Sequence, residues 1–150
     1  MIKKEGRYDS YAYRISDVPA SGELIAAGWE EGEFLSFNDE GELIKATADK
    51  PAFMSMSSCR PGRDQFTGKT TRQCSILFGA SRVCVTNYDA EKTYKGGTPL
   101  YVDATGKLTT DAGKYLVGYA CGAPSTDGYL KAMITIPVPV EVTETDEVGA

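Results

Sequence analysis

The residues whose types and spacing could do chemistry are concentrated in one polar stretch near the middle of the chain. Residues 62–70 end in Gly68-Lys69-Thr70, which suggests a phosphate-binding P-loop. That loop needs four residues between its first glycine and the Gly-Lys-Ser/Thr triplet, and five separate Gly62 from Gly68 here. A buried strand should precede the loop and a helix should follow it, but residues 57–61 are polar and residues 75–78 look like a strand. The stretch therefore predicts a surface loop and no nucleotide site.

Cysteine is the second residue type that could do chemistry. The four cysteines are Cys59, Cys74, Cys84 and Cys121, none of them in a C-x-x-C pair, and the chain has no histidine. A zinc site would need all four to converge from scattered positions. Disulfides remain possible, but the N-terminus has no apolar stretch of a secretory signal behind its basic residues. We expect reduced thiols that act as small buried hydrophobes.

Catalytic combinations are missing from the sequence. Without histidine there is no Ser-His-Asp or Cys-His arrangement. Carboxylate pairs such as Asp39 and Glu40 fall in predicted turns, where solvation is the ordinary role, whereas acid–base catalysis needs a cleft that shifts the pKa. No serine lies in G-x-S-x-G. We expect no catalytic residue, no cofactor and no metal, and therefore a protein that is not an enzyme.

Charge is distributed unevenly along the chain. The net charge is −5, which disfavours nucleic acid, because its binders need a basic face, and weakly disfavours anionic membranes. The polar stretch nevertheless carries four cations against one acid: Arg60, Arg63, Lys69 and Arg72. A separate group is acidic: Glu30, Glu31, Glu33, Asp39, Glu40 and Glu42. The basic loop is either simply solvated or, in a ring of identical subunits, meets the acidic group of the next copy.

The elements that must position these residues are predicted to be strands. Apolar residues make up 41% of 150 residues, enough for the core of one domain. Period-two alternation predicts strands at 11–15, 33–37, 42–48, 52–57, 74–78, 82–86, 100–103, 107–110, 115–121 and 129–136. We expect residues 17–22 to break the first strand, and residues 79–81 to join 74–78 and 82–86 as a hairpin. Sixteen glycines and seven prolines leave 89–94 as the best helix candidate. The fold class is all-β, a single small β-barrel or β-sandwich (β-tulip-like) domain with extended N- and C-terminal arms.

One segment is repeated. Residues 32–43 and 97–108 share the pattern G-x-x-L-x-Φ-[ND]-x-x-G-x-L, where Φ is apolar. Each copy predicts a strand, a turn with Asn or Asp and then Gly, and a return strand. Gly41 supplies the positive φ of a tight turn. Leu35 and Phe37 fall on one strand face, as Leu100 and Val102 do in the second copy, so both hairpins should face a core, unless they are merely two similar hairpins.

The predicted domain organisation has an N-terminal arm (1–16), a β domain (17–136) and an extended acidic tail (137–150). The arm interleaves cations with tyrosines, which are enriched at protein contacts: Lys3, Lys4, Arg7, Tyr8, Tyr11 and Tyr13. Pro137 and Pro139 cannot donate ladder hydrogen bonds, so the stretch after Ile134 should be an edge strand or an arm.

The second half of the chain contains four motifs in order. They are Gly97-Thr98-Pro99-Leu100-Tyr101-Val102, Gly106-Lys107-Leu108-Thr109-Thr110, Gly118-Tyr119-Ala120 and Ser125-Thr126-Asp127-Gly128-Tyr129-Leu130-Lys131-Ala132-Met133-Ile134. This succession resembles tailed-bacteriophage capsid decoration (cement, or head-stabilising) proteins, and residues 32–48 repeat it in part. The basic loop and the four cysteines depart from the family pattern.

The resemblance implies a structural virion protein, assembled in the host cytoplasm. It would bind the outer surface of the capsid, as a homotrimer, and bridge subunits of the major capsid protein. The arm residues from Lys3 to Ile15, and the basic loop, are the expected contact residues. A tail or fibre component that recognises a host surface is the alternative, and a small hydrolase or nucleotide-binding protein is the third.

Overall fold

The computed structural model describes residues 2–3, 14–59, 73–77 and 81–140. In chain order its elements are β1 (Ile2–Lys3), β2 (Arg14–Pro19), α1 (Gly22–Ala27), β3 (Phe34–Phe37), β4 (Leu43–Lys45), β5 (Ala52–Met54), β6 (Gln73–Leu77), β7 (Ser81–Val85), β8 (Pro99–Val102), β9 (Leu108–Thr109), β10 (Tyr115–Ala120) and β11 (Leu130–Pro139). The fold is all-β, as the alternation predicts. No helix in these ranges is long and apolar enough to cross a membrane.

The strands form two layers. The larger layer is an antiparallel sheet in the order β1-β7-β11-β10-β8-β9, which curls into a half-barrel. The smaller layer joins the three-stranded sheet β4-β3-β5 to the pair β2-β6. An isolated bridge between Ser55 and Ile76 makes this junction.

Two buried clusters form the core, and one of them holds the layers together. The first lies between them, because Phe34 and Met54 of the smaller layer are buried in the same cluster as Leu100, Val83 and Ile134 of the larger one. The second covers the opposite face of the smaller layer and combines α1 with the strands beneath it: Val18, Ala20, Leu24, Ile25, Trp29, Leu35, Leu43, Cys59, Cys74 and Ile76. The smaller sheet is therefore buried on both faces.

The two repeated segments pair in equivalent ways in the structure, and the equivalence is longer than the sequence pattern. Residues 30–55 and 95–120 superpose in hydrogen-bonding pattern at a constant spacing of 65 residues. Leu35 pairs with Phe53, and Leu100 pairs with Gly118 at the equivalent position. Each copy therefore contains three strands, β4-β3-β5 or β9-β8-β10.

The flanking strands extend the equivalence. β6 pairs with β2 beside the first three strands, as β11 pairs with β7 beside the second three. The described strands other than β1 thus form two five-stranded units, β2-β6-β5-β3-β4 and β7-β11-β10-β8-β9. The expected core-facing leucines are buried in both units, but in different clusters: Leu35 lies under α1, and Leu100 lies between the layers.

Two local predictions are wrong, and one strand boundary is displaced. Strands β6 and β7 do not form a hairpin, because β6 pairs with β2 while β7 lies between β1 and β11. Residues 17–22 end the first strand later than expected, since β2 continues to Pro19 before α1 begins at Gly22. The helix is not at 89–94, where the chain turns, but at Gly22–Ala27.

Helix α1 is short but well capped. The hydroxyl of Ser21 accepts a hydrogen bond from the Leu24 amide at 3.1 Å, and Gly28 ends the helix with a φ of 74°. Six residues would not remain helical alone. The helix is stabilised by burial of Leu24 and Ile25 against the smaller sheet.

The proline-containing end of β11 lies where the sheet narrows. Residues 132–134 pair with both β7 and β10. Beyond them, Val138 and Pro139 pair with β10 on one side only. The prolines are thus tolerated because no ladder hydrogen bond is needed on the open side.

Candidate interaction surfaces

Most residues predicted to make contacts lie outside the described ranges. These are Lys4, Arg7, Tyr8, Tyr11, Tyr13, Arg60, Arg63, Lys69 and Arg72. The exception is Lys3, which lies in β1 at the edge of the larger sheet and pairs with Cys84. The structure therefore gives the anchoring points of the two predicted contact segments.

Both segments are anchored at both ends. Residues 4–13 connect β1, on the edge of the larger sheet, with β2 in the smaller layer. Residues 60–72 begin after Cys59, whose backbone exchanges hydrogen bonds of 2.8 and 2.9 Å with Trp29, and end at Gln73, which pairs with Pro19. Each segment thus starts and finishes on an ordered strand or bridge.

The basic loop leaves the fold beside the acidic group. An open cleft of about 500 Å³ is lined by Trp29, Glu30, Glu33, Lys45 and Cys59, among others. The Lys45 ammonium lies 2.7 Å from the Glu33 carboxylate and donates a second hydrogen bond to the Gly28 carbonyl at 2.9 Å. Glu30 is exposed. The Glu30 carboxylate therefore faces solvent beside Trp29, whose backbone pairs with Cys59, the residue before Arg60.

The outer face of the larger sheet carries the second surface, which the sequence reasoning missed. Arg82, Met133, Tyr119 and Pro99 are direct neighbours across β7, β11, β10 and β8. All four are exposed, although the residues that flank them along the strands are buried. Tyr119 is 42% exposed and Met133 is 39% exposed. We call these four residues the outer row.

The outer row leads into a smaller cleft of about 230 Å³. Two residues further along the strands, Cys84 and Lys131 are cross-strand partners, and the Cys121 amide donates a hydrogen bond to the Lys131 carbonyl at 2.8 Å. These three residues line the cleft together with Asp127 and Tyr129. Cys84 is buried, whereas Cys121 is exposed.

The cysteines are reduced, and no disulfide joins the four, all of which the structure describes. The expectation of burial is confirmed for Cys59, Cys74 and Cys84 and is wrong for Cys121. Burial raises the pKa of the Cys74 thiol above its ordinary value, against the opposing effect of a hydrogen bond from the Ser57 hydroxyl at 3.5 Å. A neutral thiol is the form suited to packing under α1.

Tyr94 is the other buried group with a displaced pKa. Burial, with the nearby Asp89 carboxylate, raises its pKa to about 12. Its hydroxyl donates to the carbonyl of Asp89 at 2.8 Å and lies 3.3 Å from that of Leu108. Neither Tyr94 nor Cys74 lines the two clefts, so these pKa shifts belong to packing of the core.

Among the described residues, no cluster of three or more His, Cys, Asp or Glu side chains could hold a metal ion. No protein family, no curated protein and no solved structure matches the chain significantly. Function must therefore be argued from the residues and surfaces themselves.

Proposed function

We propose that this chain is a structural virion protein of the capsid-decoration type, which binds the outer surface of a phage head and bridges subunits of the major capsid protein. This function requires protein–protein binding and no catalytic step. Its partner would be the major capsid protein, repeated over the shell, so that each contact can be modest and still give strong overall binding.

The observation that carries the proposal is the double anchoring of the two predicted contact segments. Segment 4–13 is held between β1 and β2, and segment 60–72 is held between Cys59 and β6. Holding both ends of a segment lowers the entropy that binding must remove. The tyrosines of the first segment and the arginines of the second are residue types enriched at protein contacts.

The sequence resemblance supports the same function. Its strongest part spans β8 to β11, where the G-x-x-L-Y-V strand, the G-K-L-T return and the final apolar strand form consecutive pieces of one sheet. These motifs build a scaffold, so the contact residues are expected in the segments that the scaffold anchors.

The test is co-sedimentation of the purified protein with DNA-free, expanded heads that lack it. We expect saturable pelleting at a fixed ratio to the major capsid protein. Replacing Tyr8, Tyr11 and Tyr13 together by Ala, or Arg60, Arg63, Lys69 and Arg72 together by Ala, should each weaken pelleting by at least about tenfold. The matched control is Lys107→Ala, an exposed cation in the turn before β9.

Substitutions are preferable to truncation for this purpose. A chain that starts at Ser16 would lose β1 and the first two residues of β2, and with them the pairs Ile2–Val85 and Arg14–Leu77. Loss of binding could then reflect loss of folding. If intact heads fail to pellet the unmodified protein, the proposal is wrong and a tail or host-recognition role becomes the better hypothesis.

A further inference from the structure

We propose that the outer row is a two-fold interface, at which a second copy of this chain packs its own outer row. The inference concerns the purified protein in solution, so it does not rest on the proposed function, and it predicts a two-fold pair where the sequence resemblance implies a homotrimer. The internal repeat supplies a comparison, because the first unit contains the equivalent strand face in a different environment.

In the first unit, the face equivalent to the outer row is fully covered. Phe34 and Met54 occupy the positions that correspond to Pro99 and Tyr119, 65 residues later. Both are completely buried against the larger sheet, whereas Pro99 and Tyr119 are exposed. One unit therefore buries this face against another sheet, and its repeat leaves the face open.

The large exposed apolar side chains of the described residues are confined to β10, β11 and the residue that follows β11. They are Tyr119, Met133, Ile136, Val138 and Val140. An apolar surface gains most by covering another apolar surface. Within the described ranges of a second copy, the only such surface is the same one, so the symmetric arrangement is favoured over a head-to-tail one.

The outer row is also self-complementary in chemistry. A two-fold axis between β10 and β11 would place Met133 of one copy against Tyr119 of the other, in a sulfur–aromatic contact. The two Arg82 side chains would lie at opposite ends, about three strand spacings or roughly 14 Å apart. That separation exceeds the screening length of about 8 Å at physiological ionic strength, so their repulsion is small.

The size of the face suits a dimer of modest affinity. Strands β7, β11, β10 and β8 side by side are about 19 Å wide. Three of them, β7, β10 and β8, contain four to six residues and extend about 13–20 Å, and the end of β11 pairs with β10 only. The flat area shared by the four strands is then about 300 Å², and side chains add to it. A standard interface covers about 800 Å² of accessible surface per partner.

The first test measures the mass of the protein in solution by light scattering over a range of concentrations. One chain is 16.2 kDa, so a dimer has twice that mass. We expect dimers whose dissociation constant rises at least about tenfold in Tyr119→Glu and in Met133→Glu. The matched control is Ala26→Glu, which adds the same charge to the exposed side of α1 and should leave the dimer unchanged.

A second test remains decisive if a glutamate variant folds poorly. In a Cys121→Ser background, Tyr119→Cys and Met133→Cys chains are mixed and oxidised with glutathione disulfide. Two-fold packing predicts a disulfide-linked dimer in the mixture at a higher yield than in either variant alone. A monomer at all concentrations, a trimer, a dimer insensitive to Tyr119→Glu, or equal yields in the three oxidations would overturn the proposal.

Discussion

Asn38 and Asp103 show how single residues create the repeat. Asn38 Oδ1 accepts the amides of Glu40 at 3.1 Å and Glu42 at 2.8 Å. Asp103 Oδ1 accepts the amides of Thr105 at 2.8 Å and Lys107 at 3.1 Å, in the same places of the second turn. Short polar side chains that hydrogen-bond the following backbone are what such turns require. This chemistry is local, which is why the sequence pattern was sufficient to predict both hairpins.

Tyr94 carries a prediction about pH. Its pKa in the folded protein is about 12, above the ordinary value of 10.0. Between these values the folded state retains a proton that the unfolded state releases, so the free energy of unfolding should fall as pH rises from 10 to 12. Below pH 10 the contribution of Tyr94 is fully present. Tyr94→Phe should remove this part of the pH dependence and, at neutral pH, cost about 1 kcal/mol for the lost hydrogen bond to Asp89.

Urea unfolding of both proteins at several pH values, monitored by Trp29 fluorescence, measures this difference. All other ionisable groups are the same in the two proteins, so their effects cancel in the comparison. Equal slopes for the two proteins between pH 10 and 12 would show that the hydroxyl of Tyr94 ionises as easily in the fold as outside it.

The residues of the candidate surfaces were harder to predict than those of the turns. Tyr119 lies in β10 and Cys121 directly follows it, and both are exposed, but the alternation of small and large residues there does not say which face meets the core. That choice depends on the partner layer, which comes from a distant part of the chain. The sequence predicted a strand at this position and could not assign its outer face.

At the scale of elements, the two equivalent turns differ in what surrounds their glycines. Gly41 has a φ of 79° and Gly106 a φ of 82°, values that disfavour other residues. A Cβ on Gly41 would meet no atom within 4 Å. A Cβ on Gly106 would lie 2.9 Å from the carbonyl oxygen of Phe34, in the other unit. The second turn packs against the first unit, whereas the first turn faces solvent.

Alanine at these two positions should therefore have unequal effects. Gly41→Ala should cost about 1 kcal/mol of stability, the conformational penalty alone. Gly106→Ala should cost at least about 1 kcal/mol more, because backbone must move to relieve the contact. Chemical denaturation of the two variants measures the difference, and each variant is the control for the other. Equal losses of stability in the two variants would mean that the backbone at the junction between the units moves away from the new Cβ without a cost in free energy.

Elements that depend on distant partners were the ones predicted wrongly. The strands at 74–78 and 82–86 are close in sequence, so a hairpin is the simplest prediction. In the structure, each of them pairs with a strand that is distant in the sequence. Helix α1 was missed because six residues carry little periodicity. Its remaining signals were Ser21 at the start, Gly28 at the end, and two adjacent apolar residues between them.

At the scale of the whole molecule, the repeat explains how two similar units make one domain. The first unit packs one face on the second unit and covers its other face with α1. The second unit packs one face on the first and leaves the outer row open. The alternating pattern predicted an all-β domain, but not this arrangement, because both units have similar strands and only tertiary packing distinguishes their faces.

The shared core predicts that the two units unfold together. Phe34 belongs to the first unit, is fully buried, and packs in the cluster formed largely by strands of the second unit. Phe34→Ala should lower the free energy of unfolding by about 3–5 kcal/mol, through lost burial and the cavity left behind. Because the damage lies in a core common to both units, neither unit should remain folded when the other unfolds.

Two probes follow the units separately. Trp29, the single tryptophan, is buried under α1 and reports on the first unit. Hydrogen exchange of the β10 and β11 amides reports on the second. We expect coincident transitions by both probes, in the unmodified chain and in Phe34→Ala. The tryptophan signal could instead be lost at a lower denaturant concentration than the hydrogen-exchange protection of β11. The two units would then unfold separately, and the cluster between them would be only a contact surface between two independent units. Coincidence would instead mean that the open outer row belongs to a rigid body, which the two-fold packing of exposed sheets requires.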